Sequence, residues 1–429
     1  MKFKEGLLRA RSNIAFMVGL VAASGLVYSL ESASGVAGLY RPSIELSKLA
    51  PNPVKRGVLS EDDMAAAKIA WRYFENNTQS ETGLVNSVNG FASTTLWDQA
   101  SYILGLVSAY RLGIVGQEEF DIRIVKVLDS MARMELFDGK LPNKVYNTQT
   151  LAMTDYTNKV IENGIGWSAI DIARVLVPLN VIVWNFPEHG RKVKAIVEAW
   201  DFDAMLKDGA MIGARVSDEG ETELVQEGRL GYEEYAARSM NLMGFDSLAA
   251  LRFDDYLRFI NIYDQKIAYD SRSHAEYHAH NYVVSEPYIL TAVEFGFDAN
   301  SRELAWRVYR AQEERYKATG IETAVSEDNV DVAPYFVYNT VFSNGKPWNA
   351  IAEDGTDQSH LRTMSTKAVF GWDALYNTRY TNMLRKEVTD LFDPKNGWYS
   401  GRQPSPAAVQ TPRRAKRSWR SWATTRCRC

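Results

Sequence analysis

Acidic and aromatic side chains recur together along this chain. The stretch LVQEGRLGYEEYAA (224–237) sets Glu227, Glu233 and Glu234 beside Tyr232 and Tyr235. Asp98 stands in LWDQAS, Asp155 in MTDYTN, Asp171 in WSAIDIAR and Glu286 in VVSEPYIL, with Glu327 and Asp328 in AVSEDN. Trp97, Tyr146, Tyr156, Trp167, Tyr282, Tyr288, Tyr335, Tyr338 and Trp348 lie among them. Carboxylates beside flat rings are the expected lining of a sugar-binding cleft. The rings stack on pyranose faces, one acid protonates a leaving oxygen, and a second activates water. Each acid also has a plainer use, because a carboxylate in the first turn of a helix is stabilised by the macrodipole by about 0.3–1 kcal/mol. Only convergence of several acids on one place favours chemistry over capping.

Other chemistries fit less well. SHAEYHAH carries His274, His278 and His280, and a histidine pair four residues apart can hold zinc on a helix, but this segment is polar and lacks helical period. The chain has no phosphate loop, dinucleotide fingerprint or nucleophile elbow. SDEGETE (217–223) reads as a solvated turn rather than a calcium loop. No metal and no cofactor is expected.

The elements that must carry these residues form a repeat from about residue 60. A long segment ends in an aromatic and acidic cluster, an apolar helix follows, and a short turn leads to a more charged helix. The apolar members are 95–113, 164–182, 231–245, 285–297 and 363–376; their charged followers begin near Gln117, Glu188, Ser247, Ser301 and Thr378. Helices that are apolar on most sides belong inside, and helices with a one-sided stripe belong outside. With an opening helix at 60–77, the count is eleven, one short of an (α/α)6 toroid. The missing member would be a last inner helix after GWYSG (397–401). The long connections all enter inner helices at their N-termini, so they crowd one rim. MIGARVSDEGETELVQ (211–226) reads as a β-hairpin that delivers Glu227 there. An open helical solenoid is the alternative architecture.

The chain has 429 residues, 46% of them hydrophobic, enough for one large core, and the two ends depart from the body. Residues 1–35 read as a signal anchor or signal peptide: Lys2, Lys4, Arg9 and Arg11 precede the uncharged run 14–30. A linker (36–59) and the barrel domain (60–401) follow. The tail 402–429 is basic and holds both cysteines, Cys427 and Cys429; removing its eight positive charges leaves about −12 on residues 1–401. An acidic body is a poor partner for nucleic acid, so the tail reads as a disordered or frame-disrupted end. The expected setting is the inner membrane, with a single N-terminal pass and a periplasmic body, or secretion to the periplasm.

KLPNKVYNTQTLAM (140–153), GIGWSAIDIARVL (164–176), QEGRLGYEEYAA (226–237), AHNYVVSEPYIL (279–290), SRELAWRVYRAQEERY (301–316), TAVSEDNVD (323–331) and YFVYNTVFSNGKPWNA (335–350) resemble the bacterial family known as domain of unknown function 3131. The resemblance runs from about residue 60 to GWYSG. More remotely, the chain is similar to (α/α)6 glycoside hydrolases that cut β-1,2-glucans. Their acid followed by small residues and Gly-Leu resembles DQASYILGL and singles out Asp98; their Asn-Glu-Tyr helix start resembles GYEEY and singles out Glu234. Glu286 joins these two as an expected catalytic acid because it begins an inner helix after a polar segment. Trp97, Tyr146, Trp167, Glu227, Arg229, Tyr232, His280, Asn281, Glu327, Asp328, Tyr335 and Trp348 form the expected substrate-binding set. The resemblance implies hydrolysis of a β-glucan-type polysaccharide. A non-catalytic glycan-binding or scaffold module of a polysaccharide-assembly system is the competing expectation.

Overall fold

The computed structural model describes residues 43–54, 57–252, 255–277 and 279–404. The expected membrane segment and residues 405–429 of the tail lie outside them. From Leu46 onward the described residues belong to one unit, an α/α toroid. Among them, no single helix is long and apolar enough to cross a membrane.

Five apolar helices form the inner layer: α2 (Leu96–Arg111), α4 (Ala169–Asn185), α6 (Tyr232–Leu242), α7 (Glu286–Leu290) and α9 (Thr366–Tyr376). Each packs against the next. The outer layer holds α1 (Glu61–Asn77), α3 (Gln117–Arg133), α5 (Gly190–Glu198), α8 (Ala299–Thr319) and α10 (Arg379–Val388). The starts are capped locally: Thr95 accepts from the Asp98 amide and Ser168 from the Asp171 amide, so two acids stand in first turns where the helix dipole also favours them.

The toroid departs from a regular repeat in two places. Among the described residues, no helix stands between Ser247 and the hairpin Leu257–Ile262 with Gln265–Asp270, whose second strand packs against α8. The apolar run in DSLAALRF is consecutive rather than spaced along one helical face, and Leu248 is exposed. The fourth inner helix also changes its winding, since α7 continues into a π turn, Thr291–Phe295. The hairpin expected over 211–226 is present as Ala210–Val216 with Thr222–Gln226, paired from Ile212↔Gln226 to Val216↔Thr222.

Residues 392–402 tie back to the body. The short hairpin Phe392–Asp393 with Gly397–Trp398 packs on α1, and Trp398 Nε1 donates to the Ala66 carbonyl at 3.1 Å. Arg402, expected in the tail, pairs in a strand with Met364 and reaches Glu322 at 2.6 Å and Glu387 at 2.9 Å. The folded body therefore runs past residue 401.

Candidate active site

Three carboxylates meet where α2 and α4 begin. The carboxylate of Asp98 accepts from the Thr95 hydroxyl at 2.8 Å and from Ser87. Asp171 holds the same position in α4 as Asp98 does in α2. Burial first, then the charges of Glu227 and Asp98, push its pKa up to about 7, against Ser168 and Lys144, which pull it down. Glu227 arrives from the hairpin and caps α4: Oε1 accepts from the Ser168 hydroxyl and Oε2 from the Ala169 amide, both at 2.6 Å. Burial raises the Glu227 pKa more than Lys144 and these donors lower it. A side chain at Gly213 on the facing strand would put its Cβ 2.6 Å from Glu227 Oε2, so the close approach needs glycine there.

One helical turn below Asp171, Arg174 forms the floor. Its guanidinium lies 3.1 Å from Glu294 on the π turn and 2.5 Å from the Tyr235 hydroxyl, 4.5 Å above the Trp97 ring. The Tyr235 hydroxyl donates in turn to Glu294 at 2.5 Å. One side chain on α4 thus touches α2, α6 and the π turn after α7, and ties four inner elements together. The charge of Glu286 also acts on Arg174.

The facing wall carries a second acidic group. Lys367, at the start of α9, pairs with Glu286; although burial lowers its pKa, Glu286, Glu327 and Asp328 together raise it. Asp328 accepts from the hydroxyls of Thr363 at 2.5 Å and Ser365 at 2.8 Å. Burial lifts its carboxyl to about 8, against Lys367 and those hydroxyls and with a smaller push from Glu327. Between the two acidic walls, Tyr282 and Tyr338 stack with centroids 3.9 Å apart and planes within 5°. Burial first, then Tyr282, Glu353, Glu327 and Tyr156, raise the Tyr338 pKa. Tyr156, 58% exposed, has the charges of Glu353, Asp171 and Glu227 acting on its hydroxyl. These charges act on one another from Asp171 through Tyr156 and Glu353 to Tyr338, and from Asp328 and Lys367 through Glu286 to Arg174. These acids and rings therefore form one group at the centre of the toroid, its hollow.

The three expected catalytic acids do not gather in it. Asp98 belongs to the first wall. Glu286 reaches the hollow but is paired with Lys367. Glu234 leaves it: Tyr232 and Tyr235 of α6 take the inward face against Trp97, so Glu234 sits on the outer side, beside Pro287 and Tyr288. Glu233 is locked to Arg272 at 2.5 Å, with Asp270 on the same guanidinium at 2.6 Å.

The binding set divides as well. Trp97, Tyr232, Glu227, Glu327 and Asp328 stand at the hollow or its walls. Tyr146 and Trp167 are core residues: the Tyr146 hydroxyl accepts from the Asn143 amide at 2.7 Å and donates to the Glu135 carbonyl at 2.6 Å, and Trp167 Nε1 donates to the Ile212 carbonyl at 3.0 Å. Arg229 is a tether, donating to the Ala279 carbonyl at 2.9 Å and to Gln226 at 2.6 Å. His280 stacks on His274 at 4.1 Å, and Asn281 donates to the Asp270 carbonyl at 2.8 Å. Tyr335 is exposed, and Trp348 lies under Arg315 at 4.4 Å. Lys367, Glu353, Tyr156, Tyr282 and Tyr338 are the hollow residues that this set lacks, and Asp171 was not among the expected catalytic acids. Asp171 carried a signal, an acid at the Asp98 position of the next inner helix; Lys367 and Glu353 carried none.

His278 lies outside the described residues. Among those described, Asp121, Glu188 and His189 could hold a metal ion, their ligand atoms lying within 4.8 Å of one another. They stand beyond the far end of α4, which spans about 25 Å, and take no part in the hollow.

The molecule is an α/α toroid with an acid-lined hollow at the N-terminal ends of its inner helices. It belongs to the family described as protein of unknown function DUF3131, which matches residues 65–413. No curated protein matches the chain. Among solved structures it is similar to the endo-β-1,2-glucanase of Chitinophaga pinensis in complex with sophorotriose and glucose, with 12% identity, TM-score 0.55, and 81% of this chain and 87% of that one covered. It is similar to a provisionally assigned glucoamylase of Bacteroides fragilis at 10% identity and TM-score 0.52, over 81% and 86%. An endo-β-1,2-glucanase mutant of Talaromyces funiculosus with bound β-1,2-glucan shares 11% identity at TM-score 0.50, over 80% and 78%. At these identities the likeness shows the fold.

Proposed function

We propose that this chain is a glycoside hydrolase of the (α/α)6 type that cuts a β-glucan-type polysaccharide. The observation that carries the reading is the shared field of Asp98, Asp171 and Glu227, in which Asp171 holds a proton up to about pH 7. Asp171 is the general acid and gives its proton to the glycosidic oxygen as the bond from that oxygen to the anomeric carbon breaks. Asp98 is the base and takes a proton from the water whose oxygen bonds to that carbon. Glu227 is a weaker candidate for either role, because both its oxygens are engaged at the start of α4. Tyr156 and the Tyr282–Tyr338 stack offer ring faces for the sugar. The endo-β-1,2-glucanases among the structural neighbours support a β-1,2-linked substrate.

The reading extends to location: the basic and apolar residues 2–30 anchor the domain outside the cytoplasm. Fractionation of expressing cells checks this, with recovery in the cytosol as the contrary result. The activity is checked by reducing-sugar release from linear β-1,2-glucan, with other β-glucans and starch in parallel. Release from β-1,2-glucan that falls about 10²–10⁴-fold in Asp171→Asn is expected. Binding of the glucan without any release would leave a glycan-binding module and end the enzyme reading.

A further inference from the structure

Glu234 faces a second cavity, of about 280 Å³, walled by α6, α7 and the first turn of α8. This is just below the ~300–1,000 Å³ usual for small-molecule sites. Leu230, Leu251, Pro287 and Leu304 give it an apolar side. Glu234 and Tyr288 are among the polar residues that line it, with 8% and 5% of their surface exposed; Arg238, Thr291, Asp298, Asn300 and Ser301 are the others. The Tyr288 hydroxyl has no hydrogen-bond partner among the described residues. Glu234 accepts from the Gly231 amide and, among the described residues, no cation pairs with it. Arg238, which also lines the cavity, donates to Asp298 through Nη2, although its buried Nε has no partner among the described residues, and Arg272 is taken by Glu233 and Asp270. Buried polar groups are nearly always satisfied, so an unpartnered phenol beside an uncompensated carboxyl calls for a partner.

A primary ammonium group supplies what both lack: three donors and the opposite charge. A neutral hydroxyl would satisfy the phenol but leave Glu234 either protonated or buried as an unpaired charge. We propose that this cavity is a binding site for a small molecule carrying a primary ammonium group. Glu234 is its counter-ion, the Tyr288 oxygen accepts one of its protons, and the apolar side takes the remaining atoms. Burial, and after it the charge of Glu233, lifts the Glu234 carboxyl to about 8, with Asp270 adding and the Gly231 amide opposing. Binding near neutral pH therefore displaces a proton from Glu234. The site is independent of the hydrolase reading, since Glu234 stands outside the hollow.

Isothermal titration calorimetry of the full chain tests this with matched probes: ethanolamine, cyclohexylamine and glucosamine against ethylene glycol, cyclohexanol and glucose. At least one amine is expected to bind more tightly than its alcohol by about ten-fold or more. Repeating the titration in buffers of different ionisation enthalpy should show proton release. Glu234→Gln should lose the amine preference while keeping its circular dichroism spectrum, and Tyr288→Phe should weaken binding by several-fold. No binding by any of the three amines, equal binding of an amine and its alcohol, or an undiminished preference in folded Glu234→Gln would each overturn the site.

Discussion

At the scale of single residues, burial and like charge decide which acid can hold a proton. Asp171 gains its raised pKa from the protein interior first and from Glu227 and Asp98 second. A general acid must be protonated, so kcat should fall tenfold per pH unit above about pH 7. An Asp171→Glu variant should keep that limb with its midpoint moved, and a profile without a basic limb would remove Asp171 from the role. Gly213 supplies a second test. Gly213→Ala drives a methyl into the Glu227 carboxylate, so Glu227 must release the start of α4. The cap is worth about 1 kcal/mol, and the variant should lose both that stability in urea titrations and part of its activity. Unchanged kinetics would show that the position of Glu227 does not matter to the reaction.

At the scale of elements, rotation of each helix about its own axis selects the side chains that meet. Asp98, Asp171 and Glu234 occupy the same position, the third residue of α2, α4 and α6. The first two face the hollow and the third does not, because neighbouring residues differ by about 100° around a helix and α6 turns its tyrosines inward. Sequence spacing revealed that acids begin inner helices, but not how far each helix turns. Arg174 shows the same dependence: it joins four inner elements through Glu294, Tyr235 and Trp97. Removing one partner of a buried pair costs about 3–5 kcal/mol, so Arg174→Met should lower the unfolding free energy from urea titrations by that amount. Adding Glu294→Gln should recover part of it. If Arg174→Met alone is silent, the floor is not held by this pair.

For the whole molecule, protons held by buried acids make stability depend on pH. Asp171, Glu234 and Asp328 are lifted to about 7, 8 and 8 from ordinary carboxylate values. Between pH 4 and 8 the folded state therefore binds more protons than the unfolded one, and stability falls as pH rises through this window. Thermal melts should show Tm declining from pH 5 to pH 8, and Glu234→Gln with Asp328→Asn should flatten the decline. A Tm rising over that range would contradict the burial of these groups. The ends of the described ring add a mechanical dependence. Trp398 joins the last hairpin to α1 and packs on Phe370 and Phe392. Trp398→Ala should cost on the order of 3 kcal/mol, read as a lower Tm with cooperative melting retained.

Sequence by itself determined the two-layer repeat, the hairpin before Glu227 and the crowding of acids at one rim, because apolar period, turn residues and loop lengths are local properties. It did not determine that a hairpin stands where the outer helix expected after Ser247 would be, since that depends on how other elements pack. Nor could it separate Tyr146 and Trp167, which are core, from Tyr156 and Tyr338, which line the hollow: an aromatic residue reads the same in either place. The grouping of Asp171 with Asp98, the pairing of Glu286 with Lys367 and the outward turn of Glu234 were decided by tertiary structure. Carboxylates far apart in sequence act on one another only through space, and only the packed angle of each helix fixes which of them share it.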